Sequence, residues 1–394
     1  EYTIINSLGL SIGIAGFLLI VLFVKNEYSY DQFLENTSAI HKVVLTRSYP
    51  DRKTTGPYIP HSFANVIVTD FPGVIRSTVL SGPYHNMPFS IMRSNDEKDQ
   101  YTESVMLADS NFFKVFSFKM LRGDAKTVLN DPLNMVLTES VAKKYFGSEE
   151  PIGKIITTSG RDQFTVTGVC EDPPSNSHIN FGVLSSIQSI RRFGRANFTR
   201  PDVMCYVQLR EDTNATYLES KLPVLVSRHI SEEIRELNQM SWEAYQAAGN
   251  GFLFSFCPLL EVYLNPNDVG GMKPGGNISM IHMMLVVAML ILFMAVVNFI
   301  NLSTARSSER AKEVGIRKIM GSGKRSLLMQ FLIESLLLSL LATSIAVLLV
   351  ELVLPSFNAL METSIRLLYD VKFMGTFLCF SISLALLAGL YPAF

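Results

Sequence analysis

The sequence has few of the residues from which catalytic and metal sites are built. Its 394 residues include four cysteines, six histidines and one tryptophan. The cysteines show no CxxC or zinc-ligand spacing, and the histidines form no i, i+4 pair. The external segment, residues 25–277, has no G-x-S-x-G or H-E-x-x-H motif. We therefore predict no catalytic residue, no metal site and no cofactor bound by this chain. Cys170, Cys205 and Cys257 lie in the long middle segment, where one disulfide can form without being required.

The sequence also lacks an excess of charge of either sign. It has 34 Lys and Arg residues against 35 Asp and Glu residues, a formal net charge of −1. No basic arm occurs outside residues 301–326. Because nucleic-acid-binding domains usually carry a strongly basic surface, we predict no nucleic-acid partner.

Apolar residues, in contrast, are abundant and concentrated in four runs. Hydrophobic residues make up 48% of the chain, and the mean hydropathy is +0.25. A helix needs about 20 apolar residues to cross the hydrocarbon core of a membrane. We predict transmembrane helices at residues 1–24 (TM1), 278–300 (TM2), 327–354 (TM3, ending before Pro355) and 371–394 (TM4).

The segment between TM2 and TM3, residues 301–326, sets the expected orientation. It holds seven basic residues, opposed only by Glu309 and Glu313. Short loops rich in Lys and Arg remain on the cytoplasmic side. Residues 25–277 and the short loop 355–370 are then expected outside the membrane.

TM1 contains Gly9, Gly13 and Gly16 at a spacing that allows a second helix to approach closely. Glycine is also common in membrane helices in general, so helix packing and simple composition both remain open. A cleaved signal peptide is disfavoured, because the apolar run is long and no A-x-A pattern follows it.

The external segment, residues 25–277, mixes strand and helix patterns. Residues 164–169 and 204–209 alternate as half-buried strands do. Residues 138–146, closed by Gly147, and residues 217–238 have helical spacing. We predict an α+β domain with a distal lobe at approximately residues 76–202. Its clustered aromatic residues are expected in the core: Phe112, Phe113, Phe116 and Phe118.

The cytoplasmic segment has the pattern of a short amphipathic helix. Arg310, Glu313 and Arg317 share one face, and Ile316, Ile319 and Met320 form an apolar patch. Such a helix either lies on lipid headgroups or docks into a groove of another protein. The following Gly321–Lys324 stretch is not a Walker A motif, because Lys318 and Arg325 occupy positions that require Gly and Ser or Thr.

Three groups of residues closely resemble the MacB-type, FtsX-like ABC transporter permeases. The first is Glu313-Val314-Gly315-Ile316-Arg317-Lys318-Ile319-Met320-Gly321, followed by residues 330–335, QFLIES. The second is the external series at residues 112–118, 121–124, 136–147 and 151–154. The third is residues 29–33, SYDQF, typical of the Bacteroidetes-type branch. The resemblance covers essentially the whole chain.

The resemblance implies a fold, a site and partners. The fold would be a membrane protein of four transmembrane α-helices, with a large α+β extracytoplasmic domain of the MacB periplasmic core type between TM1 and TM2. The ATPase-coupling segment would be Arg310, Glu313, Val314, Gly315, Ile316, Arg317, Lys318, Ile319 and Met320. ATP would be bound by a separate ABC subunit. The chain would be the N-terminal half of a duplicated permease, acting as a dimer or pseudo-dimer of such modules.

Three functions follow as alternatives. In the leading one, the chain is an inner-membrane transporter subunit that transmits ATP-driven motion to a periplasmic domain for export or extraction of a substrate. Membrane lipid and a periplasmic adaptor or effector would be further partners. In the second, an FtsX-like regulator activates an external partner such as a cell-wall hydrolase without transport. In the third, the domain is only a membrane-anchored receptor or adhesion module.

Overall fold

A computed structural model describes residues 2–84, 90–93, 100–158, 162–190, 193, 195–265, 275–309, 324–361, 363–367 and 369–393. The chain divides into two compact units. One unit, here called the helical unit, comprises Glu1–Ser29 and Ile278–Phe394, and the other, the external unit, comprises Tyr30–Asn277.

The elements are numbered in chain order within the described residues. The helices are α1 (Tyr2–Tyr28), α2 (Ser62–Asp70), α3 (Phe112–Val115), α4 (Glu139–Phe146), α5 (Ala215–Asn238), α6 (Trp242–Ala247), α7 (Leu259–Val262), α8 (Ile278–Glu309), α9 (Lys324–Met361) and α10 (Val371–Ala393). The strands are β1 (Ile40–Ser48), β2 (Lys53–Gly56), β3 (Tyr58–Ile59), β4 (Val74–Tyr84), β5 (Ser90–Arg93), β6 (Gln100–Thr102), β7 (Val105–Ala108), β8 (Met120–Arg122), β9 (Asn134–Thr138), β10 (Ile155–Thr158), β11 (Gln163–Cys170), β12 (Val183–Ser186), β13 (Val203–Leu209) and β14 (Gly251–Pro258).

The helical unit contains the predicted membrane helices. Among the described residues, Ser7–Tyr28, Ile278–Leu302 and Leu332–Met361 are long and apolar enough to cross a bilayer, and Val371–Leu387 is a shorter apolar helix. A helix suits this environment because all its backbone hydrogen bonds are made within the segment. The predicted fold class, four membrane helices with a large α+β domain inserted after the first, is confirmed.

The sequence pattern predicted that the third of these helices ends before Pro355. The structure shows that it does not. Helix α9 continues through Pro355 to Met361. Proline inside a helix removes one backbone hydrogen-bond donor, a loss that transmembrane helices tolerate when neighbouring groups satisfy the freed backbone. Asn358 instead organises the exit of the chain, since its Oδ1 accepts hydrogen bonds from Thr363 Oγ1 (2.9 Å) and Ile365 N (3.1 Å).

The external unit is built on one mixed sheet within the described residues. Its strand order is β14-β1-β13-β4-β7-β12-β9-β11-β10-β5-β6, with β2, β3 and β8 paired to the side. Most pairs are antiparallel, and β9 with β11 and β7 with β12 are parallel. The first long strand and the last, β1 and β14, are neighbours over residues 41–48 and 251–258.

Strand β13 differs from the half-buried strand that its alternation predicted. Six of its seven residues are buried, because packed layers cover both faces of the sheet. Cys205 and Val207 belong to a core that includes α2 and α5 residues. Met204 and Tyr206 face a second core that contains all four predicted core aromatics, Phe112, Phe113, Phe116 and Phe118.

The four cysteines are unpaired. Cys170, Cys205 and Cys257 are buried thiols, and Cys379 is exposed on α10. Burial raises the pKa of Cys170 to about 12 and also raises the pKa of Cys205. Neither thiol ionises near neutral pH, so neither has the thiolate character that reactive cysteines need.

Helix α4 ends where the sequence predicted, at Gly147. The residue has φ 62° and ψ −115°, and its amide donates to the Lys143 carbonyl at 2.9 Å. A Cβ added at Gly147 would meet no atom within 4 Å. Any cost of a side chain here therefore comes from backbone strain alone.

We expect Gly147→Ala to lower the free energy of unfolding of the external unit by about 1–3 kcal/mol, the usual cost of an unfavourable backbone conformation. Unfolding can be followed by the fluorescence of Trp242, which is buried in a core of this unit. The matched control is Gly56→Ala, where the space is also open and φ is not positive. Equal stability of the two variants would contradict the strain at Gly147.

Candidate functional site

The predicted coupling segment lies outside the described residues. Helix α8 ends at Glu309 and α9 begins at Lys324, so the structure does not describe Arg310, Glu313, Val314, Gly315, Ile316, Arg317, Lys318, Ile319 or Met320. Their assignment to ATPase coupling stays a prediction.

The glycines of the first membrane helix line its contact with α8. A Cβ built on Gly13 would overlap the Cβ of Ala295. Cβ atoms built on Gly9 and Gly16 would lie 3.6 Å from Asn298 Nδ2 and 3.7 Å from Ile291 Cγ2. Of these three glycines, Gly13 lies closest to α8, which is the geometry that small residues allow between membrane helices.

Another close helix pair, α9 with α10, contains a polar contact. Ser339 Oγ donates to the Ser381 carbonyl at 2.6 Å, and both residues are fully buried. Ala342 and Ala346, also fully buried, continue the small-residue face of α9. Interhelical hydrogen bonds of this kind are worth about 1 kcal/mol in membranes.

We expect Gly13→Ala to destabilise the helical unit by about 1–3 kcal/mol, because the added methyl group overpacks the contact with Ala295. Gly375→Ala on α10 is the matched control, since its added Cβ would meet no atom within 4 Å. The midpoint of thermal unfolding by circular dichroism, in one detergent, compares the two. Stability of Gly13→Ala equal to that of Gly375→Ala would mean that the α1–α8 contact is not tight.

A second site lies in the external unit, immediately after the end of α1 in the chain. Asp31 is fully buried and has φ 60°, unusual for a residue other than glycine. Its Oδ1 accepts a hydrogen bond from the backbone N–H of His178 at 3.0 Å. Its Oδ2 lies 2.7 Å from His178 Nδ1, as an electrostatic contact rather than an aligned hydrogen bond.

The contact continues through His178 to the central strand β13. His178 Nε2 and the Tyr206 hydroxyl form a 2.8 Å hydrogen bond, and Tyr206 is fully buried. The ammonium of Lys42, itself only 1% exposed, lies 5.6 Å from the centroid of the Tyr206 ring. We call the following four residues the buried polar cluster: Asp31, Lys42, His178 and Tyr206. They link the segment that follows α1 to strands β1 and β13.

Three further contacts hold the ends of the external unit in place. Asp31 N donates to the Asn176 carbonyl at 2.9 Å. Tyr30 stacks on Tyr263 with ring planes 2° apart, and Gly276 N, two residues before α8 begins, donates to the Tyr263 carbonyl at 2.8 Å. The residues that follow α1 and those that precede α8 are thus both attached to one folded unit.

The sequence patterns did not reveal the buried polar cluster. Asp31 was noted only within the SYDQF resemblance, and Lys42, His178 and Tyr206 were not singled out. The one local signal is Lys42, a charged residue inside the apolar strand pattern of residues 40–45. All four members are buried, so we interpret the cluster as a structural connection inside the external unit.

We expect Asp31→Ala to destabilise the external unit by about 3–5 kcal/mol, because it leaves the buried His178 partner atoms unpaired. Asp212→Ala is the control, since Asp212 is 78% exposed and only 3.5 Å from Arg210 Nε. An exposed pair contributes less than about 1 kcal/mol. Trp242 fluorescence during urea unfolding measures both. Equal losses in the two variants would contradict a stabilising role for the cluster.

Comparison with protein families gives two matches that together span most of the chain. Residues 3–223 match the MacB-like periplasmic core domain. Residues 285–394 match the FtsX-like permease C-terminal family.

Relatives of known name are similar over long stretches. The macrolide export ATP-binding/permease protein MacB of Aggregatibacter actinomycetemcomitans is 24% identical over 356 residues, which are 86% of this chain and 48% of that protein. MacB of Mannheimia succiniciproducens is 20% identical over 399 residues, 99% of this chain and 56% of that protein. The chain thus spans about half the length of these relatives.

Two solved structures are also similar. A domain of a protein described as a permease from Porphyromonas gingivalis is 20% identical, with a TM-score of 0.48, and covers 57% of this chain and 91% of its own. The periplasmic region of MacB from Actinobacillus actinomycetemcomitans is 19% identical, with a TM-score of 0.35. The match covers 55% of this chain and 97% of that one. The family assignment rests on the sequence matches, of which the first alone covers more than half of the chain. The chain belongs to the MacB-type family of FtsX-like ABC permeases.

Proposed function

We propose that this chain is the membrane subunit of an ABC transporter whose ATP is hydrolysed by a separate subunit. The observation that carries the proposal is the pair of family matches, a periplasmic core domain at residues 3–223 and an FtsX-like permease region at residues 285–394. The relatives are named ATP-binding/permease proteins. The two matched regions of this chain are the core domain and the permease.

The proposed mechanism is mechanotransmission. The ATPase binds the segment around Glu313 and Arg317 between α8 and α9, and its closure on ATP tilts these helices. The close α1–α8 contact at Gly13 makes the first helix follow α8. The external unit follows α1 and precedes α8 in the chain, and it then changes shape. This movement drives export or extraction of a substrate from the outer side of the membrane.

The proposed location is the inner membrane, with the external unit in the periplasm. The basic residues between α8 and α9 favour a cytoplasmic position for that segment. Two permease modules acting as a dimer or pseudo-dimer would present two coupling segments to an ATPase pair. A periplasmic adaptor or effector and membrane lipid are the further proposed partners.

A second function uses the same movement without transport. In that case the external unit activates a soluble partner, such as a cell-wall hydrolase. Strand β14 stands at one end of the sheet among the described residues, and the edge of a sheet is a position where a partner chain can pair. ATP hydrolysis that requires the soluble partner, and no exported substrate, would favour this function.

The proposal is tested by affinity purification of the full-length protein from native membranes in mild detergent, followed by identification of bound chains and an ATPase assay. We expect an ABC ATP-binding subunit to copurify with the natural protein. The double variant Glu313→Lys with Arg317→Glu should lose about 10-fold or more of this subunit, because it reverses two charges on one face of the coupling segment.

The matched control reverses a charge pair in the external unit. Glu149→Lys with Lys154→Glu exchanges an exposed ion pair whose atoms are 3.1 Å apart, and we expect it to retain the ATP-binding subunit. Full retention by the coupling-segment variant, or absence of any ATP-binding subunit from the natural protein, would contradict the proposed function.

A further inference from the structure

The external unit contains a partly open cavity of about 550 Å³ that the proposed mechanism does not use. It lies between His61 at the start of α2, the loop of residues 195–202 that precedes β13, and the C-terminal half of α5. Small-molecule sites commonly have volumes of about 300–1,000 Å³. The size is therefore that of a ligand site rather than of a packing defect.

The loop that forms one wall is held by its own hydrogen bonds. Asn197 Nδ2 donates to the Arg200 carbonyl at 2.6 Å and to Asp202 Oδ2 at 3.1 Å. Asn197 Oδ1 accepts from Arg200 N at 2.9 Å, and Asn197 N donates to Ser62 Oγ at 2.8 Å. The backbone that carries the cavity residues is thus fixed before any ligand arrives, which lowers the entropy cost of binding.

Both carboxylates of the cavity are already occupied by donors from the protein. Glu233 accepts from Phe198 N at 2.7 Å and from Thr199 Oγ1 at 2.5 Å. Asp202 accepts from His61 N at 3.0 Å and lies 2.9 Å from His61 Nδ1. These carboxylates hold the wall together through their contacts with the loop and with His61.

The two arginines of the cavity, in contrast, have no such engagement. Arg195 and Arg200 are exposed, and both line the cavity. Within the described residues, neither guanidinium has an ion-pair or hydrogen-bond partner. A guanidinium presents a planar fork of donors that matches a carboxylate or phosphate.

The same cavity has an apolar rim. Leu237 is 65% exposed although it lines the cavity, and Ala196 is exposed beside Arg195. An anion alone would leave this rim in water. A ligand that joins an anionic group to an apolar group would cover both.

We propose that this cavity binds a small organic anion, with its phosphate or carboxylate on Arg195 and Arg200 and its apolar part against Leu237. Asp202 and Glu233 repel an anion placed deep in the cavity, so the anionic group lies on the arginine side. The site stands independently of the transport function, since it rests only on the geometry of the external unit.

The test is saturation-transfer NMR on the full chain in detergent, with phenyl phosphate as the probe. Benzyl alcohol supplies a neutral aromatic comparison, and inorganic phosphate, as a competitor, supplies the anion without the apolar group. We expect phenyl phosphate to bind, benzyl alcohol not to bind, and inorganic phosphate to displace the probe only at about 10-fold or greater excess. Equal binding of benzyl alcohol, or displacement by equimolar inorganic phosphate, would overturn the proposal.

Variants locate the binding. Arg195→Gln with Arg200→Gln should weaken phenyl phosphate binding by about 10-fold or more, because it removes both charged donors to the anionic group. Arg122→Gln with Lys154→Gln removes the same charge from exposed ion pairs elsewhere and should change the affinity by less than about 2-fold. Equal weakening by the two double variants would overturn the site, because it would show general attraction by positive charge.

Discussion

The antiparallel pairing of β1 with β14 is the constraint on which the external unit depends. These strands are separated by most of the unit in sequence, yet they pair over eight residues, from His41 opposite Pro258 to Ser48 opposite Gly251. One follows the first membrane helix and the other precedes the second. Because backbone hydrogen bonds join them along their length, the two ends of the unit cannot separate without breaking a ladder of the sheet. A domain inserted between two membrane helices is thereby closed by its own first and last long strands.

The buried polar cluster and the Tyr30–Tyr263 stack also fix residues of the external unit that lie, in sequence, between its long end strands and the membrane helices. Asp31 follows α1 by three residues and is held by His178 and, through it, by Tyr206 on β13. Tyr30 stacks on Tyr263, beyond the end of β14. In the helical unit, the close approach at Gly13 joins the same two helices, α1 and α8. Each of these contacts lies within one of the two units.

The sequence predicts the parts of this structure that depend on local patterns. The membrane helices follow from apolar runs, because lipid forces each segment to satisfy its own backbone, and the end of α4 follows from Gly147. Local patterns fail to predict features that depend on contacts outside the segment itself. The α9 helix continues past Pro355, where the local pattern predicted an end, to Met361. Strand β13 is buried on both faces because two cores cover it. Asp31 and His178 are 147 residues apart, and no periodicity records their contact.

The most direct test of the proposed transmission of movement is hydrogen exchange of the external unit. It is measured in the permease assembled with the proposed ATP-binding subunit, with and without ATP. The comparison is between the natural chain and Asp31→Asn, with near-ultraviolet circular dichroism to establish that the variant is folded. If movement is transmitted as proposed, ATP alters the rate of hydrogen exchange in the external unit of the natural chain. In the folded variant this response should be lost while the ATP-binding subunit stays bound. An undiminished response in Asp31→Asn would contradict transmission through the buried polar cluster.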